Sequence, residues 1–98
     1  MTISFYDKLA PYYHLLYGDW EGAIRSQGDG LSNLLAEFGV NKDDQVHDAA
    51  SGIGTQTIGL LQSGYCVSAS DLSPGAISRL DSELRQRSLT ARTFVSDL

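Results

Sequence analysis

The residues best suited to chemistry in this sequence lie in the stretch Asp48-Ala49-Ala50-Ser51-Gly52-Ile53-Gly54-Thr55. Gly52 and Gly54 allow a tight turn and let a ligand approach the backbone more closely than a β-carbon would permit. Asp71 follows Gly52 by 19 residues, close to the interval at which nucleotide-binding folds place an acid for ribose hydroxyls. Charge narrows the ligand. No Lys or Arg occurs between Asp43 and Ile77, and Asp48 stands four residues before Gly52, so a pyrophosphate over this loop would be repelled. The third glycine of a dinucleotide fingerprint would fall at Thr57. S-adenosylmethionine has ribose hydroxyls, an ammonium and a sulfonium, and its one carboxylate can use the N–H groups at a helix start near Gly54 and Thr55. The acids that disfavour phosphate therefore suit this ligand.

Such a loop works only if flanking elements hold it. Gln45 to Ala50 is too short for a helix and reads as a buried strand, whereas Thr55 to Ser63 carries Ile58, Leu60 and Leu61 before Gly64 and reads as a helix. Tyr65 to Ser70 is a second strand by its aromatic and β-branched content. Ser73 and Pro74 supply an N-cap and first-turn proline for a helix faced by Ile77, Leu80 and Leu84, and Ala91 to Ser96 is a third strand. The order is βαβαβ. It predicts an α/β, Rossmann-like parallel sheet with right-handed crossovers, in which Asp48, Asp71 and Asp97 reach one crevice at the carboxyl ends of the strands. Upstream, Ile24, Leu31, Leu34, Leu35 and Phe38 follow helical spacing between a capping Asp19 and a terminating Gly39. Gly22, Gly28 and Gly30 weaken that helix by about 0.5–1 kcal/mol each. Phe5 to Tyr17 reads as a shorter helical segment broken near Pro11. Residues 1–44 thus form an N-terminal helical extension and residues 45–98 a ligand-binding half-domain.

Three segments carry a resemblance: Asp48-Ala49-Ala50-Ser51-Gly52-Ile53-Gly54, Ser68-Ala69-Ser70-Asp71-Leu72-Ser73-Pro74, and Val95-Ser96-Asp97-Leu98. Together they resemble the first three motifs of class I S-adenosylmethionine-dependent methyltransferases. The stretch from Tyr12 to Trp20, with Gln27 and the helix to Gly39, is similar to the N-terminal extension of the glycine and sarcosine N-methyltransferase branch. The resemblance implies that Ala50, Ser51, Gly52 and Gly54 hold the methionine part of the cofactor near Asp48. It further implies that Asp71 binds the ribose, Leu72 packs on the adenine, and Asp97 and Leu98 meet the adenine edge. Tyr13 would cover the cofactor, and Arg25 would meet a carboxylate of cofactor or substrate. Family members commonly have an apolar residue at the position of His47, whose imidazole needs hydrogen-bond partners in a central strand. The family fold has seven strands, so the predicted sheet is incomplete. Its first strand would keep an open edge, available to a second copy or to a C-terminal half.

Composition sets outer limits. The 98 residues carry 7 Lys+Arg against 12 Asp+Glu, a net charge of −5, which argues against nucleic acid or an anionic membrane as partner. Cys66 is the single cysteine, so an internal disulfide is excluded and no metal site is expected. No apolar run approaches the roughly 18 residues of a membrane span, and no signal core is evident, so a cytoplasmic location is expected. No triad or base stands out, and no catalytic residue is assigned. Methyl transfer to a small-molecule acceptor is compatible with this, because it requires no nucleophilic residue and alignment and water exclusion supply much of the rate. Three readings remain: a methyltransferase acting on an amine such as glycine or sarcosine, a non-catalytic binding module, and a truncated fragment that needs a partner chain.

Overall fold

A computed structural model of the chain describes residues 19–96. The expected Phe5 to Tyr17 segment lies outside them, as do Tyr13, Asp97 and Leu98. The elements are α1 (Trp20–Glu37), β1 (Gln45–Ala49), α2 (Thr55–Gln62), β2 (Cys66–Asp71), α3 (Pro74–Gln86) and β3 (Arg92–Val95). The predicted βαβαβ order therefore holds, with boundaries shifted by a residue or so.

The strands form one parallel sheet in the order β1-β2-β3. Pairing runs from Gln45 opposite Cys66 to Ala49 opposite Ser70, and from Ser68 opposite Arg92 to Asp71 opposite Val95. Side chains alternate between faces along a strand. Val46, Val67 and Ala69 accordingly pack on the helices, within cores that include Ile24, Ile58, Leu60, Ile77, Leu80 and Leu84. The opposite face carries Gln45, His47, Ala49, Cys66, Ser68, Ser70, Arg92 and Phe94.

His47 meets its requirement for partners on that second face. Nδ1 lies 2.8 Å from the Ser68 hydroxyl and Nε2 lies 2.9 Å from that of Ser70, while the ring stacks on Phe94 at 5.5 Å. One imidazole thus braces all three strands.

Helix starts and stops follow local chemistry. The Asp19 carboxylate accepts from the Gly22 N–H, and the Ser73 hydroxyl accepts from the Ala76 N–H. Gly39 and Gly64 close α1 and α2 with φ of 78° and 96°, the left-handed geometry that glycine adopts without a steric penalty.

Two of the glycines inside α1 differ in their surroundings. A β-carbon at Gly28 would lie 2.8 Å from Gly59 Cα, and one at Gly59 would lie 2.6 Å from the Ile24 carbonyl oxygen. Helices α1 and α2 therefore meet backbone to backbone. Around Gly30 a β-carbon would meet nothing within 4 Å, and there the propensity cost stands alone.

Trp20 secures the other end of α1. It is buried and its indole N–H donates to Thr55 Oγ1 at 3.0 Å. Arg79 and Arg87 approach its ring at 5.5 and 5.1 Å, and both guanidinium groups pair with the buried Glu83. Arg87 also reaches Glu21. The extension helix and the sheet thus share one core.

These contacts give opposite expectations for two similar substitutions. Gly30→Ala should stabilise the fold by about 0.5–1 kcal/mol through helix propensity. Gly28→Ala should destabilise it by roughly 1–3 kcal/mol, because the backbones must separate. Urea denaturation of both variants tests this, and equal effects would show that the helices do not touch at Gly28.

Candidate functional site

The site grows from the loop leaving β1. Ala50 takes φ of 61°, a left-handed value uncommon for a residue with a β-carbon. The turn is held from the neighbouring strand, where the Ser70 carbonyl accepts from the Ser51 N–H at 2.9 Å. The chain then passes Gly52, with φ of 58°, and enters α2 at Gly54, with φ of 99°. Gly54 has no side chain to cap the helix, and its first turn contains no acidic residue. First-turn N–H groups have no partner within their own helix, so this end favours an electronegative group.

Asp71 joins the two loops of the site. One oxygen accepts from the Gly52 N–H at 2.8 Å, and the other accepts from the Ser73 N–H at 2.9 Å. Each carboxylate oxygen accepts more than one hydrogen bond, so both retain capacity toward a ligand. Leu72 follows directly and is 45% exposed, an apolar side chain next to the acid.

Asp48 occupies a different position. Its side chain points to the helix side of the sheet, where the buried Thr57 hydroxyl donates to it at 2.6 Å. Thr57 thus uses the place of the third fingerprint glycine to hold an acid. Burial pushes the Asp48 carboxyl above its ordinary value of 3.8, against the Thr57 hydrogen bond and the His47 imidazole, which lower it, while the Asp71 charge adds to the rise. Two of the three predicted acids are therefore close enough to interact, and Asp97 lies outside the described residues.

Beside the loop is a cleft of about 230 Å³ lined by Gln27, Ala50, Ser51, Gly52, Ile53, Thr55 and Gln56. No charged side chain is among them. The two glycines serve different ends here. At Gly52 a β-carbon would meet nothing within 4 Å, whereas at Gly54 it would lie 2.3 Å from Leu80 Cδ1. Gly52 leaves open the space that a ligand could enter, and Gly54 lets α3 pack against the start of α2.

Arg25 is exposed and does not line the cleft. At about 100° per residue, Arg25 and Gln27 project from nearly opposite sides of α1. Gln27 falls on the stripe of Trp20, Ile24 and Leu31, the face turned to the rest of the molecule. Sequence reasoning named Gln27 only as part of a resemblance and gave it no role. The helical wheel could have identified it, because it is the polar residue on an otherwise apolar stripe. Thr57 and Trp20 were likewise not assigned their contacts.

Two predictions follow from the loop geometry. Gly52→Ala should cost about 1–2 kcal/mol through its positive φ alone, while Gly54→Ala should cost substantially more because Leu80 must move. Thermal melts of both variants measure the difference, and equal losses would contradict the assigned packing. For Asp48, a folded value above the unfolded one means tighter proton binding in the folded state, so its contribution to stability falls as pH rises above 3.8. Asp48→Asn keeps an acceptor for Thr57 and should raise the melting temperature at pH 7, with the advantage shrinking as pH falls toward 3.8. A pH-independent difference would exclude this origin.

Comparison with known proteins agrees with the geometry. The chain is 34% identical over 79 residues to a glycine/sarcosine N-methyltransferase from Parasynechococcus marenigrum, a match covering 81% of this chain and 27% of the relative. It superposes on the crystal structure of an S-adenosylmethionine-dependent methyltransferase from Clostridium acetobutylicum with a TM-score of 0.70 and 25% identity, covering 94% of this chain and 37% of the other. Magnesium protoporphyrin IX methyltransferase from Synechocystis, solved with bound S-adenosylhomocysteine, matches in fold with a TM-score of 0.64 and 22% identity over 76% of this chain and 36% of its own. The chain therefore spans about a quarter to two fifths of the length of these proteins. No protein-family model matches it.

Proposed function

We propose that this chain, which resembles in sequence and fold the N-terminal part of class I S-adenosylmethionine-dependent methyltransferases, binds S-adenosylmethionine and belongs to an enzyme that methylates a small-molecule acceptor. The observation that carries this reading is the Asp71 carboxylate, which accepts from the N–H of Gly52, a residue lining the cleft, and from that of Ser73 in the turn after β2. The donor set fits the cofactor. Asp71 offers acceptors to ribose hydroxyls, Leu72 an apolar surface to a base, and the loop Ala50, Ser51 and Gly52 a close backbone approach for an amino-acid tail, while Gly54 contributes by starting α2 and is carried over as a contact from the resemblance alone. Asp48, beneath the loop, supports the preference for a cationic ligand over a phosphate. Tyr13, Arg25, Asp97 and Leu98 are carried over from the family resemblance as further contacts.

When bound, the cofactor supplies a methyl group already activated by a sulfonium. The tasks left to the protein are holding that group in line with the acceptor and excluding water. An amine acceptor must also give up its ammonium proton, to solvent or to a side chain, before its nitrogen can attack the methyl group. The relative named above favours glycine or sarcosine as the acceptor class, and the net charge of −5 opposes a polyanionic one.

Calorimetric titration with S-adenosylmethionine and S-adenosylhomocysteine tests binding. We expect saturable heat for both ligands and a loss of at least about tenfold in affinity in Asp71→Ala, equivalent to roughly 1.4 kcal/mol. A folded chain without heat, or binding indifferent to Asp71→Ala, would overturn the reading. Transfer of a labelled methyl group to glycine or sarcosine separates an enzyme from a binding module, which would bind without turnover.

A further inference from the structure

The cleft beside the loop contains a polar side chain whose role the family motifs leave open. Gln27 is half-buried on α1, lines the cleft together with Ala50, Ser51 and Gly52, and its side-chain amide makes no hydrogen bond among the described residues. Its amide atoms are not sealed away, since no buried side-chain nitrogen or oxygen among the described residues lacks a partner. A primary amide that replaces an apolar residue on a core-facing stripe gives up burial, and here it gains no partner among the described residues in exchange.

We propose that Gln27 is a specificity-determining residue that reads the amino-acid tail of the ligand bound at this loop. The inference rests on the cofactor reading above. A homocysteine or methionine tail is a zwitterion, with an ammonium donor beside a carboxylate acceptor. A carboxamide offers one acceptor and two donors on one rigid plane, and so can meet either group or both. The cleft supports this match because none of its lining side chains is charged, and a lone Lys or Arg would favour one end of the zwitterion over the other. Arg25 is the nearest guanidinium in sequence, but it is exposed and does not line the cleft. Gln27 is held in place by its neighbours on the same stripe. Ile24 is fully buried, and Gly28 meets Gly59 backbone to backbone, so α1 cannot back away from the loop without opening the core.

The test compares S-adenosylhomocysteine with 5′-methylthioadenosine, which keeps the adenosine and sulfur but lacks the amino-acid tail. Affinities of the unaltered chain and of Gln27→Ala, Gln27→Glu and Gln27→Asn are measured by calorimetry, with circular dichroism confirming that each variant is folded. The unaltered chain should bind S-adenosylhomocysteine more tightly than methylthioadenosine. Gln27→Ala should weaken S-adenosylhomocysteine by about tenfold or more, as expected for a hydrogen bond to a charged group, and leave methylthioadenosine unchanged. Gln27→Glu keeps an acceptor for the tail ammonium but no donor for the carboxylate and should bind S-adenosylhomocysteine less tightly than the unaltered chain, and Gln27→Asn, which keeps both, should recover part of the loss seen in Gln27→Ala. Equal weakening of both ligands by Gln27→Ala, or no weakening of either, would overturn the proposal while leaving the cofactor reading intact. Binding of neither ligand by the unaltered chain would overturn both.

Discussion

The Asp71 carboxylate is the constraint on which the site depends. The loop after β1 and the turn after β2 each carry a backbone N–H that would otherwise face the crevice, and one side chain accepts from both. Because β1 and β2 are adjacent and parallel, the end of β2 lies beside the loop that leaves β1. A sheet of another order would put the same two residues far apart. The carboxylate therefore fixes the shape of the loop before any ligand arrives, and preorganisation of this kind lowers the ordering cost of binding.

The loop also needs a stable wall, and α1 provides it. The close approach of Gly28 to Gly59 sets the separation of α1 from α2, while Trp20 fixes the start of α1 through Thr55, the first residue of α2. The guanidinium groups of Arg79 and Arg87 over the indole extend this connection to α3. A buried carboxylate such as Glu83 is costly without partners, and the two arginines supply them. The cleft consequently lies between elements tied to one another on both sides.

Much of this was legible in the sequence because the signals were local. Ser73 and Pro74 announce a helix start, Gly39 and Gly64 announce helix ends, and the short runs beginning at Gln45 and Tyr65 read as strands. The spacing from Gly52 to Asp71 then placed the acid correctly, since a strand, a helix and a strand consume a nearly fixed length of chain. What the sequence hid depends on contacts between distant elements. Gly28 and Gly30 are indistinguishable by propensity, and only the position of Gly59 separates them. His47 gave the appearance of a defect because its partners, Ser68 and Ser70, become neighbours only through the register of β1 on β2. Arg25 drew attention by its charge and Gln27 did not, although the helix turns the amide toward the cleft.

The acids also differ more in structure than in sequence. Asp48 and Asp71 both stand at strand ends, yet they fall on positions with different surroundings. Asp48 is enclosed beneath the loop, where burial raises its proton affinity and Thr57 holds it. Asp71 stands at the end of β2, where each oxygen accepts from one backbone N–H and keeps capacity for another. The cleft between Gln27 and the loop is itself uncharged. Negative charge therefore lies beside and beneath the loop, while Gln27, Gln56 and the start of α2 line the cleft. Such an arrangement can attract a sulfonium and an ammonium without closing the space to a carboxylate, because the attraction acts through the field and the recognition acts through hydrogen bonds. A phosphate carries more negative charge and no cation to offset it, and would meet the same field as repulsion. A preference for a cationic ligand over a phosphate would thus follow from where Asp48 and Asp71 sit, and not from the net charge of the chain.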